Sequence, residues 1–198
     1  MKMMHGSAIP AWDARGIIPP YIGAPVMSDG RSPFKATLHD LVLRFGTTTE
    51  RLKILDGLLK FRVAIHAAGV SEGFQWIDGS FTEDVERIEK RAPKDIDVVT
   101  YFVEPVGISQ ATLVAQHPMA FGVDPIARNE RKEQLFVDAV GVSLTSPALS
   151  LVERSCYWYG LWSHRRNDLW KGYVEVELDP AQDVLARQQL DKLIALKP

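Results

Sequence analysis

The sequence predicts an α/β (α+β) fold: a small mixed sheet flanked by helices, with an extended N-terminal arm. Three observations carry this. Residues 47–69 repeat apolar side chains at the helical three-and-four spacing, as does the segment after Asp179. Four runs rich in Val, Ile, Phe or Leu, at residues 74–78, 95–103, 135–144 and 173–178, read as strands and alternate with helical stretches. Residues 1–35 are crowded with Pro, Gly and Ser, which break any regular period.

The chain of 198 residues fits one hydrophobic core, so residues 36–198 are taken as a single domain behind the 1–35 arm. Its composition is 46% hydrophobic and 24% charged, ordinary for a globular protein. A net charge of −2 supplies no global field for nonspecific nucleic-acid binding, although a local basic patch is compatible with it. Cys156 is the single cysteine, so neither an intrachain disulfide nor a multi-thiolate metal site can form. Met1 to Pro10 lacks the apolar centre of a signal peptide, and no apolar run reaches membrane-spanning length. The expectation is a soluble cytoplasmic protein with no membrane partner.

In the arm, Pro19-Pro20, Gly23, Pro25, Gly30 and Pro33 interrupt helix, and Trp12, Ile17, Ile18 and Tyr21 are the residues able to anchor it to the body. Thr37 caps a short helix carrying Leu38, Leu41, Val42 and Phe45, which Gly46 ends. Thr47 and Glu50 have capping-box spacing and open a longer helix bearing Ile54, Leu58, Phe61 and Ile65, closed by Gly69. Residues 81–93 are polar, a loop or a short exposed helix. The 95–103 run is nearly continuous in apolar residues after Asp97, as in a strand buried on both faces. Ser109 caps a helix that His117-Pro118 closes, and Asp124-Pro125 starts a charged helix through Arg128, Arg131 and Lys132. Ser146 as N-cap and Pro147 at the first helical position begin a helix to about Tyr159. Residues 173–178 alternate Val and Glu, as an exposed or edge strand does, and Asp179-Pro180 caps the last helix.

The chemistry concentrates at Asp78-Gly79-Ser80 and Asp95-Ile96-Asp97. Alternate strand residues share a face, so Asp95 and Asp97 project together. Paired carboxylates suit Mg²⁺, and a Gly-Ser turn offers N–H groups and a hydroxyl to phosphate oxygens. Asp138 sits amid Leu135, Phe136, Val137, Ala139 and Val140, where a buried charge needs a partner or a metal. If its strand lies beside 95–103, three carboxylates can hold two Mg²⁺ ions about 3.5–4 Å apart, with Asp138 near the attacking hydroxyl and able to help remove its proton. The bland alternative is three surface aspartates at strand edges.

These residues resemble the nucleotidyltransferase superfamily related to DNA polymerase beta, in its minimal branch. More closely, the chain resembles an uncharacterised bacterial family of nucleotidyltransferase-like proteins, through Gly16-Ile17-Ile18-Pro19-Pro20, Arg44-Phe45-Gly46, Asp78-Gly79-Ser80-Phe81, Asp95-Ile96-Asp97-Val98-Val99, Asp138, and Tyr157-Trp158-Tyr159-Gly160 to Trp170-Lys171-Gly172. The resemblance implies that Gly79 and Ser80 contact the triphosphate of ATP or another nucleoside triphosphate. It implies that Asp95, Asp97 and Asp138 bind Mg²⁺. It implies transfer of a nucleoside monophosphate to a hydroxyl of a protein, RNA or small molecule. Several minimal members act as antitoxins, so a regulatory protein that binds a toxin or other protein without turnover is the competing expectation. The gap of 14 residues between Ser80 and Asp95 is slightly longer than the superfamily's usual spacing and reads as an idle loop or a lid.

Two further stretches qualify as functional. His164 to Lys171 offers Arg165, Arg166 and Lys171 to a phosphate tail or an acceptor nucleic acid; otherwise it is a solvated turn. The resemblance tilts those three residues toward nucleotide binding. Tyr157, Trp158, Tyr159 and Trp162 can stack on a base but at helical spacing read as core, with Cys156 an inert core residue among them. His39, His66 and His117 lack metal-ligand spacing, and His66 reads as a surface or boundary residue.

Overall fold

A computed structural model describes residues 9–24 and 30–197. The expectations for Met1 to Ala8 and for Pro25 lie outside the described residues. Among these, the elements run β1 (Phe34–Ala36), α1 (Leu38–Phe45), α2 (Thr49–Ala67), β2 (Gly73–Asp78), α3 (Val85–Ile88), β3 (Ile96–Phe102), α4 (Gln110–Gln116), α5 (Pro118–Phe121), α6 (Pro125–Leu135), β4 (Val137–Ser143), α7 (Ala148–Trp162), β5 (Val174–Glu177) and α8 (Pro180–Ala195). The strands form one mixed sheet in the order β1-β5-β2-β3-β4, the α+β arrangement that the sequence predicts. β2 runs antiparallel to both β3 and β5; β3 pairs parallel with β4, and β1 with β5. Among the described residues no helix is long and apolar enough to cross a membrane.

The period-two alternation of the strands sorts side chains between two unequal faces. One face carries Ile77, Ile96, Val98, Phe102, Val137, Ala139, Val174 and Val176 into the main core, against Leu41 and Phe45 of α1, Leu58 and Phe61 of α2 and Leu190 of α8. The other carries Trp76, Val99, Tyr101, Val142 and Tyr173 into a smaller aromatic cluster closed by Trp162 of α7. Two arginines of α2 are fully buried and tie the main layer together. Arg62 donates to Asp183 of α8 at 2.6 Å, to Gln75 at 2.7 Å and to the Glu177 carbonyl at 3.0 Å. Arg51 donates to the Phe81 carbonyl at 2.6 Å and binds Glu86 through both carboxylate oxygens, which fixes the chain just after β2.

The arm is anchored where the sequence suggests. Ile17 and Ile18 are buried, and Trp12 lies under the Arg44 guanidinium at 4.0 Å while donating from Nε1 to the Thr82 carbonyl at 2.7 Å. The arm also delivers β1, an edge strand beside β5 that sequence periodicity did not reveal because it is three residues long.

Several expectations need correction. The capping box lies at Thr37 and Asp40; Thr48, not Thr47, caps α2 and accepts from the Arg51 N–H. Pro147, not Ser146, precedes α7 and offers no side-chain cap. The Val–Glu strand β5 is interior rather than exposed or at the edge, with Val174 and Val176 buried between neighbours on both sides. Leu135 ends α6 instead of opening β4, because Phe136 adopts a left-handed conformation (φ 57°) and its N–H caps the Lys132 carbonyl. Of the aromatic residues on α7, Trp162 is buried, whereas Tyr157, Tyr159 and Cys156 are exposed. Helical spacing alone does not reveal that α7 meets the cluster through Leu151, Trp158 and Trp162 and leaves its other side exposed.

Candidate functional site

Register builds the site. Asp78 at the end of β2 pairs with Asp97 on β3, and Asp97 pairs with Asp138 on β4. Three aspartates therefore stand in a row across adjacent strands, on the sheet face that carries the aromatic cluster. Neighbouring strands lie about 4.8 Å apart, and like charges opposite one another repel. Asp95 lies one residue ahead of β3, which starts at Ile96 rather than at Asp95. Gly79 follows Asp78 with φ 86°, and a Cβ there would strike the Asp97 carboxylate, so glycine is what lets the Gly79-Ser80 turn abut the row.

Each carboxylate has a different electrostatic solution. Asp78 is buried and receives the Lys171 ammonium at 2.8 Å and the Thr82 hydroxyl at 3.0 Å. The same ammonium reaches Glu83 at 2.9 Å. Burial works against the Lys171 charge, but Asp78 and Glu83 outweigh it and hold the ammonium above its ordinary range. Asp138 takes a two-pronged contact from Arg128 of α6, at 2.7 and 2.6 Å. Lys132, one turn along α6, bridges Asp138 at 3.1 Å and Asp95 at 2.7 Å. Burial alone raises the Asp138 carboxyl; the hydrogen bonds from Arg128 and Lys132 overcome it and hold the group below its usual range. That acidity suits ion binding better than the proton removal expected of Asp138. Asp97 has no ion pair of its own among the described residues. Burial, and then the charges of Asp95, Asp78 and Asp138, push its carboxyl up to about 7.

A single cleft of about 980 Å³ gathers the residues expected to bind metal or nucleotide, and leaves out Tyr157, Trp158 and Tyr159. Asp95, Asp97 and Asp138 form one wall with Gly79 and Ser80, and Arg165, Arg166 and Lys171 come from the segment between α7 and β5. They are not equivalent. Lys171 is committed to Asp78 and Glu83 and is 3% exposed, so it shapes the cleft from behind. Arg165 is engaged by Glu83 at 2.9 Å and by Glu89. Arg166 is exposed and carries no ion pair among the described residues, and neither does Lys94 on the opposite rim.

The long gap after Ser80 is part of this architecture. Phe81, Thr82, Glu83 and Val85 are buried and held by Arg51 and Trp12, while Glu89, Arg91 and Lys94 line the cleft. It is an anchored wall rather than an idle loop.

The donor set fits a divalent cation in chemistry. Its ligands are hard carboxylate oxygens, and one Lys132 ammonium already spans Asp95 and Asp138, which places both within reach of a single positive centre. As the side chains stand, no three carboxylate, imidazole or thiol groups among the described residues converge on one point. Lys132 and Arg128 supply the positive charge there.

Four participants, Asp78, Glu83, Arg128 and Lys132, carry no sign of their role in the sequence. Asp78 was legible as the strand residue before Gly79, but its pairing with Asp97 depends on register. Glu83 lies in the polar stretch expected to be a loop or a short exposed helix. Arg128 and Lys132 are four residues apart on one helix, a spacing that puts both on one face, yet nothing in the sequence says that this face meets Asp138.

Comparison of the chain with curated proteins and with solved structures returned no match in either case. A family model described as a family of unknown function (DUF6932) matches residues 10–177, a span holding every strand and all the residues that line the cleft. The chain belongs to this DUF6932 family.

Proposed function

We propose that this protein is a Mg²⁺-dependent nucleotidyltransferase of the cytoplasm, which moves a nucleoside monophosphate, AMP from ATP, onto a hydroxyl of a protein, RNA or small-molecule acceptor. The observation that carries the reading is the register row Asp78–Asp97–Asp138, with Asp95 beside it and the Gly79-Ser80 turn against it, in one cleft. Asp95, Asp97 and Asp138 would hold the metal. When bound, Mg²⁺ supplies charge neutralisation at the phosphoryl oxygens and a lowered pKa for the attacking hydroxyl. Gly79 and Ser80 present backbone N–H groups and a hydroxyl to the triphosphate. Arg166 and Lys94, the uncommitted cations of the cleft, orient its phosphate tail. Lys171 positions Asp78 and Glu83 and so fixes the wall on which Gly79 sits.

The test is incubation with labelled nucleoside triphosphates, Mg²⁺ and cell extract. A labelled macromolecule or small molecule is expected from the native chain. Asp95→Asn and Asp97→Asn should each lower transfer by about 10³-fold or more while the chain stays folded, because several kcal/mol of charge stabilisation is lost. Full activity in either variant rules the assignment out.

A second reading, a regulatory protein that docks to a toxin or other protein without turnover, is favoured by α7, which leaves Leu149, Val152, Tyr157 and Leu161 exposed. On that reading the aspartate variants bind and neutralise the partner normally.

A further inference from the structure

A second cavity lies away from the carboxylates, where α2, the end of α6 and the end of α8 meet. It measures about 310 Å³, and its apolar walls are Leu52, Phe136 and Ile194. That is the small end of ligand pockets, which run about 300–1,000 Å³, and suits the body of a medium-chain acid. Three lysines, Lys53, Lys60 and Lys197, stand around it against one carboxylate, Asp56. Asp56 is already satisfied twice, by Lys60 at 2.7 Å and by Arg187 at 2.6 Å. Lys197 donates to the Thr47 carbonyl, and Lys53 carries no ion pair among the described residues. The lining is thus apolar inside and net positive at its edge. Phe136 is 37% exposed and adopts a left-handed backbone conformation that is uncommon for a bulky residue.

We propose that this cavity binds a small amphipathic anion, with the acyl or aryl body against Leu52, Phe136 and Ile194 and a single carboxylate head on Lys53 and Lys197. A carboxylate head gains charge-assisted contacts from Lys53 and Lys197 that a neutral head does not, and a purely polar ligand leaves the apolar walls uncovered. Occupancy is transmitted to the sheet, because the Phe136 N–H holds the Lys132 carbonyl at 3.0 Å and its own carbonyl accepts from Ile96 at 2.9 Å. Phe136 thus sits between the cavity and the start of both β3 and β4. The proposal does not depend on nucleotidyl transfer.

The test is calorimetric titration of the full chain with decanoate, below its micelle concentration. One site is expected. The double variant Lys53→Glu/Lys197→Glu should weaken it at least about tenfold, and decanol should bind the native chain at least about tenfold more weakly than decanoate. Ile194 is 44% exposed, so Ile194→Trp fills the cavity with little cost to the core and should abolish binding with the lysines intact. Amide resonances of Phe136 and Val137 should shift on titration. Absence of binding, equal affinity in both variants, or equal affinity for decanol overturns the proposal.

Discussion

Two charged networks share the cleft, and they are built on opposite terms. In the first, Asp78, Glu83 and Lys171 are all buried, the ammonium contacts both carboxylates within 2.9 Å, and Thr82 completes Asp78. In the second, Asp95, Asp97 and Asp138 face the cleft, Lys132 and Arg128 hold two of them, and Asp97 is left without an ion pair among the described residues. The first network is closed: every group is spoken for, although burial still raises the Asp78 carboxyl against the pull of Lys171, so the loss of one member strands the others. The second is open: its cations come from one flank of a surface helix, where Arg128 is 55% exposed, and one carboxylate remains unsatisfied. An unsatisfied carboxylate beside three others destabilises the free protein, and such sites persist where a ligand completes them.

The largest effect should come from breaking the closed network. Lys171→Met leaves Asp78 buried without a counter-charge and Glu83 with Arg165 alone, and should cost about 3–5 kcal/mol in urea unfolding. A loss below about 1 kcal/mol would mean that the buried network carries little of the stability.

Breaking the open network should do the reverse. The Asp97 carboxyl rises to about 7 on folding. Between about pH 4 and that value, the folded chain holds a proton that the unfolded chain has released, so this group's contribution to stability falls as pH rises through the window. Asp97→Asn removes the loss. In the absence of divalent cation it should stabilise the chain by about 1–4 kcal/mol at pH 8, with the gain closing below about pH 4. Thermal unfolding across pH checks this, and a destabilised variant at pH 8 would show that Asp97 has a structural partner.

The smallest effect on the fold belongs to Arg166, which lies on the cleft but in neither network. Arg166→Ala should change stability by no more than about 0.5 kcal/mol, yet raise the KM for a nucleoside triphosphate. An unchanged KM would remove Arg166 from the proposed triphosphate site.

The contrast also explains what the sequence could and could not disclose. Helices and strands were legible because their periods are local: α2, β2, β3 and α8 fall where Leu58, Phe61, Trp76, Val98 and Leu190 set the pattern. The candidate carboxylates were legible because Asp97 and Asp138 interrupt apolar runs, where a charge needs a reason. The counter-charges were not. Lys171 read as a phosphate-binding side chain because nothing in a polar turn signals that its ammonium folds inward to Asp78 and Glu83. Lys132 and Arg128 read only as members of a charged helix, because their role depends on how α6 lies against β4. The interior position of β5 was hidden for a similar reason: Glu175 points to the sparsely covered face, where it accepts from the Trp76 indole at 3.0 Å, so its alternation imitates an exposed strand.

The central claim is that the open carboxylate row exists to be completed by a metal-bound triphosphate. Calorimetric titration of the native chain with ATP, with and without Mg²⁺, and of Asp97→Asn under the same conditions, tests it most directly. The account predicts binding that requires Mg²⁺ and is lost in Asp97→Asn, with the variant still folded. Binding of equal strength without Mg²⁺ or in the variant, or no Mg²⁺-dependent binding of any nucleoside triphosphate, would contradict it.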